Sequence, residues 1–183
     1  MDTFYQNITS LHQASLQLEN EACRHCGQVS HLLSHGFVYK KQCRGDPLQV
    51  GKRIYCSNRG AKSGCGRTWR LYLCEQTPRL HYQCIHFALF VLCLLAGFSI
   101  EAAYQRASNT QQSRNGYRWI NKLHGQLAVF RRHLNFREET TALFAHRSDR
   151  LVVLLGTCQA LFSKFSPLPW HSYQLQLQKP FLG

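Results

Sequence analysis

Four cysteines constrain this chain more than anything else in it. Cys23-Arg24-His25-Cys26-Gly27 holds two thiols on one short turn that aims both sulfurs at one point. The glycine behind the second lets backbone amides turn toward them. After 29 intervening residues comes a second pair, Cys56 and Cys65, again closed by Cys-Gly but spaced by eight residues rich in glycine and serine. Four thiolates suffice for a closed tetrahedral Zn²⁺ site, which is structural because no position is left for water or substrate. The second spacing is longer than such knuckles usually have, so Cys43, Cys74 or His25 remain open as a substituted ligand, as does a site without metal. The expectation is Zn²⁺ on Cys23, Cys26, Cys56 and Cys65.

Nine cysteines would also suit a secreted disulfide scaffold, but their number is odd. Residues 1–20 show neither the basic start nor the long apolar run of a signal peptide. Reduced thiols and bound metal in the cytoplasm are expected instead; in that compartment the Asn7-Ile8-Thr9 sequon carries no weight. From Tyr82 to Ile100 there is no Lys, Arg, Asp or Glu. A spanning helix needs roughly 20 predominantly apolar residues, and this window includes Gln83, His86 and Ser99. Thr77 as N-cap, Pro78 at the first helical position and Gly97 just past the end describe a soluble helix over 78–96. A helix apolar nearly all round is buried on most sides, so no membrane is expected.

The chain as a whole reads as α+β, a small zinc-ribbon β domain followed by an all-α helix-turn-helix bundle. Residues 1–22 form a leader with a helical turn or two around Leu11, Leu16 and Leu18. The ribbon, 23–73, takes strands from 37–42, 48–55 and 68–72, the first two joined at Arg44-Gly45-Asp46-Pro47. So small a sheet has little core, and zinc supplies most of its folding energy. A helical domain spans 77–134, with helices over 78–96, 100–107 and 112–134. In the last, Ile120, Leu123, Leu127, Phe130 and Leu134 make one apolar stripe, and Trp119 beside it packs in the core. Gly116 is costly in a helix unless a neighbour or a phosphate comes close. Residues 140–183 hold a helix over 150–164, an extended linker at Ser166–Trp170, and a strand-like alternation over Tyr173–Gln178.

The formal net charge is +13, a statement about partners and not about fold. The excess is concentrated: ten Lys/Arg against two acids from Glu21 to Tyr72, and seven against none from Arg106 to Arg137. Both segments suit phosphate contact with salt-dependent affinity. Arg114, Arg118, Asn121 and Lys122 lie off the apolar stripe of the third helix. Arg pairs with guanine and Asn with adenine in the major groove, so DNA is the expected partner and this helix the expected reader. On the ribbon, Lys40, Lys41, Arg53 and Arg67 are the expected DNA contacts. Tyr39, Tyr55, Trp69 and Tyr72 either stabilise the sheet or stack on bases. Two-metal phosphoryl transfer needs clustered carboxylates. The nine acids include consecutive Glu138-Glu139 and a turn Asp46, but no triad from separate elements. No enzyme is expected.

Arg53-Ile54-Tyr55-Cys56 and Cys65-Gly66-Arg67-Thr68-Trp69 resemble the zinc ribbon at the front of bacterial insertion-sequence transposases. There a basic-aromatic pair precedes the third cysteine and a basic-Thr-aromatic triplet follows the fourth. Leu95–Ala103 through Tyr117-Arg118-Trp119-Ile120 is similar to the helix-turn-helix that comes next, so the likeness covers residues 23–134. It implies that ribbon and helices grip transposon DNA while a separate acidic nuclease domain cuts it, and these residues include no such domain. The resemblance therefore implies a stand-alone accessory factor, regulator or truncated transposase, possible partners being DNA and a separate transposase or nuclease subunit. The alternative is a protein-interaction module that docks on a larger catalytic subunit, its basic charge being secondary.

Overall fold

The computed structural model describes residues 2–40, 46–80, 82–112, 114–134 and 149–182, except the side chain of Asp149. Lys41, Cys43, the Arg44-Gly45 half of the expected turn, Glu138-Glu139 and residues 140–148 lie outside the described residues. The architecture is α+β, a cysteine-bearing sheet followed by helices. It divides into one unit of Met1–Gln76 with Gln174–Lys179, and another of Thr77–Tyr173 with Pro180–Gly183.

In the first unit, runs rich in β-branched and aromatic residues form β2 (Leu32–Lys40), β3 (Leu48–Cys56) and β4 (Thr68–Leu73), paired antiparallel. A fourth strand, β1 (Thr3–Tyr5), pairs parallel with β4 and gives the sheet order β1-β4-β3-β2. It comes from the segment expected to be a leader. Three residues carry no readable period, and their partner strand is remote in sequence. Between them and the first knuckle lies α1 (Ile8–Leu16), opened by a capping box: Asn7 Oδ1 accepts from Ser10 N at 2.8 Å and Ser10 Oγ from Asn7 N at 3.4 Å. The asparagine of the sequon is thus the helix cap.

Period-two alternation sends Ile54 and Cys56 to one face of β3 and Arg53 and Tyr55 to the other. Leu11 and Leu18 cover the first face, forming a buried cluster with Cys23, Leu32, Ile54, Cys56, Trp69 and Leu71. Phe4, Val50, Tyr72 and Cys74 form a second cluster. Full burial of a side chain such as Leu11 contributes about 1.5–3 kcal/mol. The expectation of a nearly coreless ribbon is therefore corrected: residues 1–22 are part of the sheet unit and give it apolar mass that three strands alone lack.

In the second unit, α2 spans Cys84–Leu95 and has no side-chain cap. It does not start at Thr77-Pro78, because Arg79 sits at φ 62°, outside any right-handed helix. The Thr77 carbonyl instead accepts from Leu80 N at 3.3 Å, closing a turn. The C-terminus is as expected: Gly97, at φ 95°, donates to Leu94 O at 3.1 Å and Phe98 N to Cys93 O at 3.0 Å, a Schellman stop. Phe87, Phe90, Val91 and Leu94 are buried, but Ile85, Leu89 and Leu92 are 55, 42 and 50 % exposed. Burial on most sides holds for one flank of α2 and fails for the other.

Ser99 caps α3 (Ile100–Ser108), accepting from Ala102 N at 3.2 Å, and Asn109 in the left-handed region ends it. Then comes α4 (Arg114–Leu134). A Cβ on Gly116 would stand 2.9 Å from Tyr104 Cβ and 3.2 Å from Ile100 O, so this glycine lets α3 and α4 touch. Trp119 is buried among Phe87, Tyr82 and Tyr104, with ring centroids 4.1, 4.9 and 4.9 Å away. Ile120, Leu123 and Phe130 are buried on the predicted stripe, with Leu127 and Leu134 half-buried.

α5 (Asp149–Lys164) buries Leu154, Leu155, Cys158 and Leu161. Residues 166–168 lie between helices, as expected of a linker, but Pro169, Trp170 and the expected strand belong to α6 (Pro169–Leu177). Trp170, Tyr173 and Gln174 are buried and Leu177 half-buried, which is helical spacing. Gln174, polar and expected outside, donates inward to Cys74 O at 2.7 Å and Gln76 O at 3.0 Å. Among the described residues no single helix is long and apolar enough to cross a membrane.

Candidate metal centre

The first two sulfurs stand on the turn that follows α1. Gly27 N donates to Cys23 O at 2.7 Å, closing it, and His25 N donates to Cys23 Sγ at 3.4 Å. The other two belong to the β3–β4 connection. Cys56 ends β3, and its N–H donates to Arg67 O at 2.9 Å while Gly66 N donates back to Cys56 O at 3.0 Å. Cys65 N points at Cys56 Sγ at 3.3 Å. The eight-residue spacer works because Gly64 N donates to Ser57 O at 2.8 Å. This bond brings Cys56-Ser57 and Gly64-Cys65 together as an ordinary close pair, and residues 58–63 leave as an excursion.

All four ligand atoms lie within 4.8 Å of one another. Cys23 and Cys65 Sγ are 3.7 Å apart, Cys26 and Cys56 Sγ 3.8 Å. A tetrahedron with metal–sulfur bonds of about 2.3 Å has edges of about 3.8 Å. The cluster is therefore geometrically compatible with a metal ion, and its donors are all cysteine sulfurs.

Electrostatics point the same way. Burial resists ionisation of Cys23, but amides of His25 and Cys26 and the thiols of Cys56 and Cys26 outweigh it and bring it down to about 7. At Cys56 burial dominates and its sulfur neighbours add to it, pushing the thiol up to about 12 despite the Cys65 amide. One thiolate forms easily here. Four confined to this volume need a cation between them.

The two alternative ligands among the described residues, Cys74 and His25, separate from the cluster. Cys74 is buried with Phe4 and Val50, and the His25 ring turns to Trp69, centroids 6.0 Å apart, with Arg67 Nη1 3.5 Å from its Nδ1. What the sequence hid was the bond between Ser57 and Gly64. A Cβ on Gly64 would lie 2.3 Å from Ser57 O and 2.5 Å from Cys56 Sγ. Gly64→Ala is expected to weaken metal binding about 10–100-fold, the scale of changes beside a ligand shell; competition against a chromogenic chelator measures it, and unchanged affinity would refute the pinned-loop account.

The expected DNA contacts are in two places. Arg114, Arg118, Asn121 and Lys122 are all exposed on α4, opposite its buried stripe, with Arg118 Nη1 donating to Asn115 Oδ1 at 3.2 Å. Arg67 is exposed beside the fourth cysteine, whereas Lys40 and Arg53 are half-buried on their strands. Arg53 stands directly opposite Arg70 in the β3–β4 register, a like-charge pair that costs stability and that only the register discloses. Trp69 and Tyr72 are core residues, and Tyr39 is 55 % exposed. No family model, curated protein or solved structure matches the chain at a significant level.

Proposed function

We propose that this chain is a non-catalytic, Zn²⁺-stabilised DNA-binding protein, tied to a mobile element as an accessory factor, regulator or truncated transposase. The observation that carries this reading is the polar face of α4. Arg114, Arg118, Asn121 and Lys122 are exposed together on a helix whose other side is buried, and no acid lies between residues 102 and 137, the nearby Glu101 of α3 accepting from the Tyr117 hydroxyl. In this reading α3 and α4 act as a helix-turn-helix, with α4 in the major groove. Lys40, Lys41, Arg53 and Arg67 on the ribbon then contact phosphates. Zinc's part is structural: it fixes the β3–β4 connection that carries Arg67.

A second reading has its own observation. The exposed Ile85, Leu89 and Leu92 recur on one flank of α2, a surface suited to docking on a separate transposase or nuclease subunit. Salt separates the two. Binding of the purified chain to duplex DNA should fall with a log–log slope of magnitude several, about −0.9 per phosphate neutralised. A flat salt dependence favours the docking module.

A further inference from the structure

The excursion at residues 58–63 is more chain than the metal requires, because the bond from Gly64 N to Ser57 O already closes the second knuckle. It forms one wall of an open cleft on the sheet. The floor is a row across three strands: Tyr55 pairs with Leu33 on β2 and with Thr68 on β4. The His35 ring stands 5.7 Å from Tyr55, tilted by 43°. On the wall, Asn58 accepts from the Tyr55 hydroxyl, Arg59 is exposed, and Lys62 Nζ is tied to Ser30 O at 2.7 Å. No acid lines the cleft.

We infer that this cleft binds an unpaired nucleotide of a single-stranded nucleic acid. The inference rests on the nucleic-acid reading of the chain and adds a second, differently built site to it. A half-buried tyrosine with an apolar neighbour and an imidazole edge offers a flat ring a place to stack. A duplex hides the base faces that such a floor needs, so the base must be unpaired. Arg59 and Lys62 meet the adjoining phosphate, and the Asn58 amide meets a base edge. The zinc knuckle braces the wall from behind, so the cleft is set before the strand arrives.

The test uses the full zinc-loaded chain and fluorescence anisotropy with three probes: a ten-residue oligothymidine, its oligouridine counterpart and a 20-base-pair duplex. Arg59→Ala, on the exposed wall, should weaken oligothymidine binding about fivefold, the share of one phosphate near physiological salt. Tyr55→Leu should weaken it roughly tenfold or more, as loss of a stacking platform does. Tyr55→Phe, which keeps the ring, should stay near the parent. Duplex affinity should change less than twofold in all three, with zinc content unchanged. Tighter binding of oligouridine assigns the cleft to RNA and leaves the inference standing. It is overturned if Arg59→Ala and Tyr55→Leu keep oligothymidine affinity within twofold, or if they weaken duplex and single strand alike. A parent that binds duplex but no single strand overturns this inference and spares the proposed function; a parent that binds none of the three probes overturns both.

Discussion

One zinc ion per chain is expected on elemental analysis, and its removal by a strong chelator should unfold residues 3–76 while the helices of the second unit stay folded. Structural zinc contributes about 10–16 kcal/mol in zinc-finger peptides near neutral pH. The net stability of an ordinary domain is only about 5–15 kcal/mol. The first unit has a core of its own around Leu11, Ile54 and Trp69, but Cys23 and Cys56 are members of that same cluster. Losing the metal leaves four sulfurs packed against one another, two of them in that cluster, and frees the Cys56–Arg67 and Gly64–Ser57 backbone bonds to open. Hydrogen exchange gives the readout: amides of β2, β3 and β4 exchange freely, while those of α2 and α4 remain protected. The Cys56→Ser/Cys65→Ser double variant should behave like the chelated protein. Because the ligands bind metal as thiolates, zinc affinity should fall as pH is lowered and protons compete. Purified protein without zinc, or a double variant that keeps parental protection, would sink the metal assignment.

Neutralising the polar face of α4 should have the largest effect on DNA. Replacing Arg114, Arg118 and Lys122 together by Gln removes three cations from an exposed surface, so folding should be unaffected. If each neutralises one phosphate, duplex affinity near 0.15 M salt drops about a hundredfold, and the salt slope becomes shallower by about three. Asn121→Ala is expected to act differently, narrowing the gap between a preferred site and random DNA by roughly 1–3 kcal/mol if the amide reads a base edge. Lys40→Ala on the ribbon should lower both affinities together. Competition assays on a site found by in vitro selection measure all of these. Helix variants that leave both affinity and preference intact would remove α4 from the interface and make the ribbon the reader.

Much of this was legible from local sequence. Ligand spacing is a local property, and so are the Schellman end at Gly97 and the apolar stripe from Ile120 to Phe130, which depend on residues within a turn or two. Trp119 as a core residue followed from its place beside that stripe. Where sequence and structure part, distant partners decide most cases, although the start of α2 is set locally at Arg79. Residues 173–178 alternate as a strand would, yet they lie largely in α6, and Gln174 is held inside by a pair of backbone carbonyls at Cys74 and Gln76. The flank of α2 left exposed was invisible because composition does not say how many neighbours a helix will have.

The sequence by itself determined that Cys23, Cys26, Cys56 and Cys65 have ligand spacing, that helices would follow a small sheet, and that positive charge would gather on α4 and the ribbon; each follows from spacing, period and local charge. Only the tertiary structure decided that residues 3–5 complete the sheet, that Ser57 and Gly64 fold a long spacer into a close pair, and that Arg53 faces Arg70 while Tyr55 lies between Leu33 and Thr68. Those outcomes rest on strand register and on one backbone hydrogen bond across the spacer, which neither period nor ligand spacing encodes.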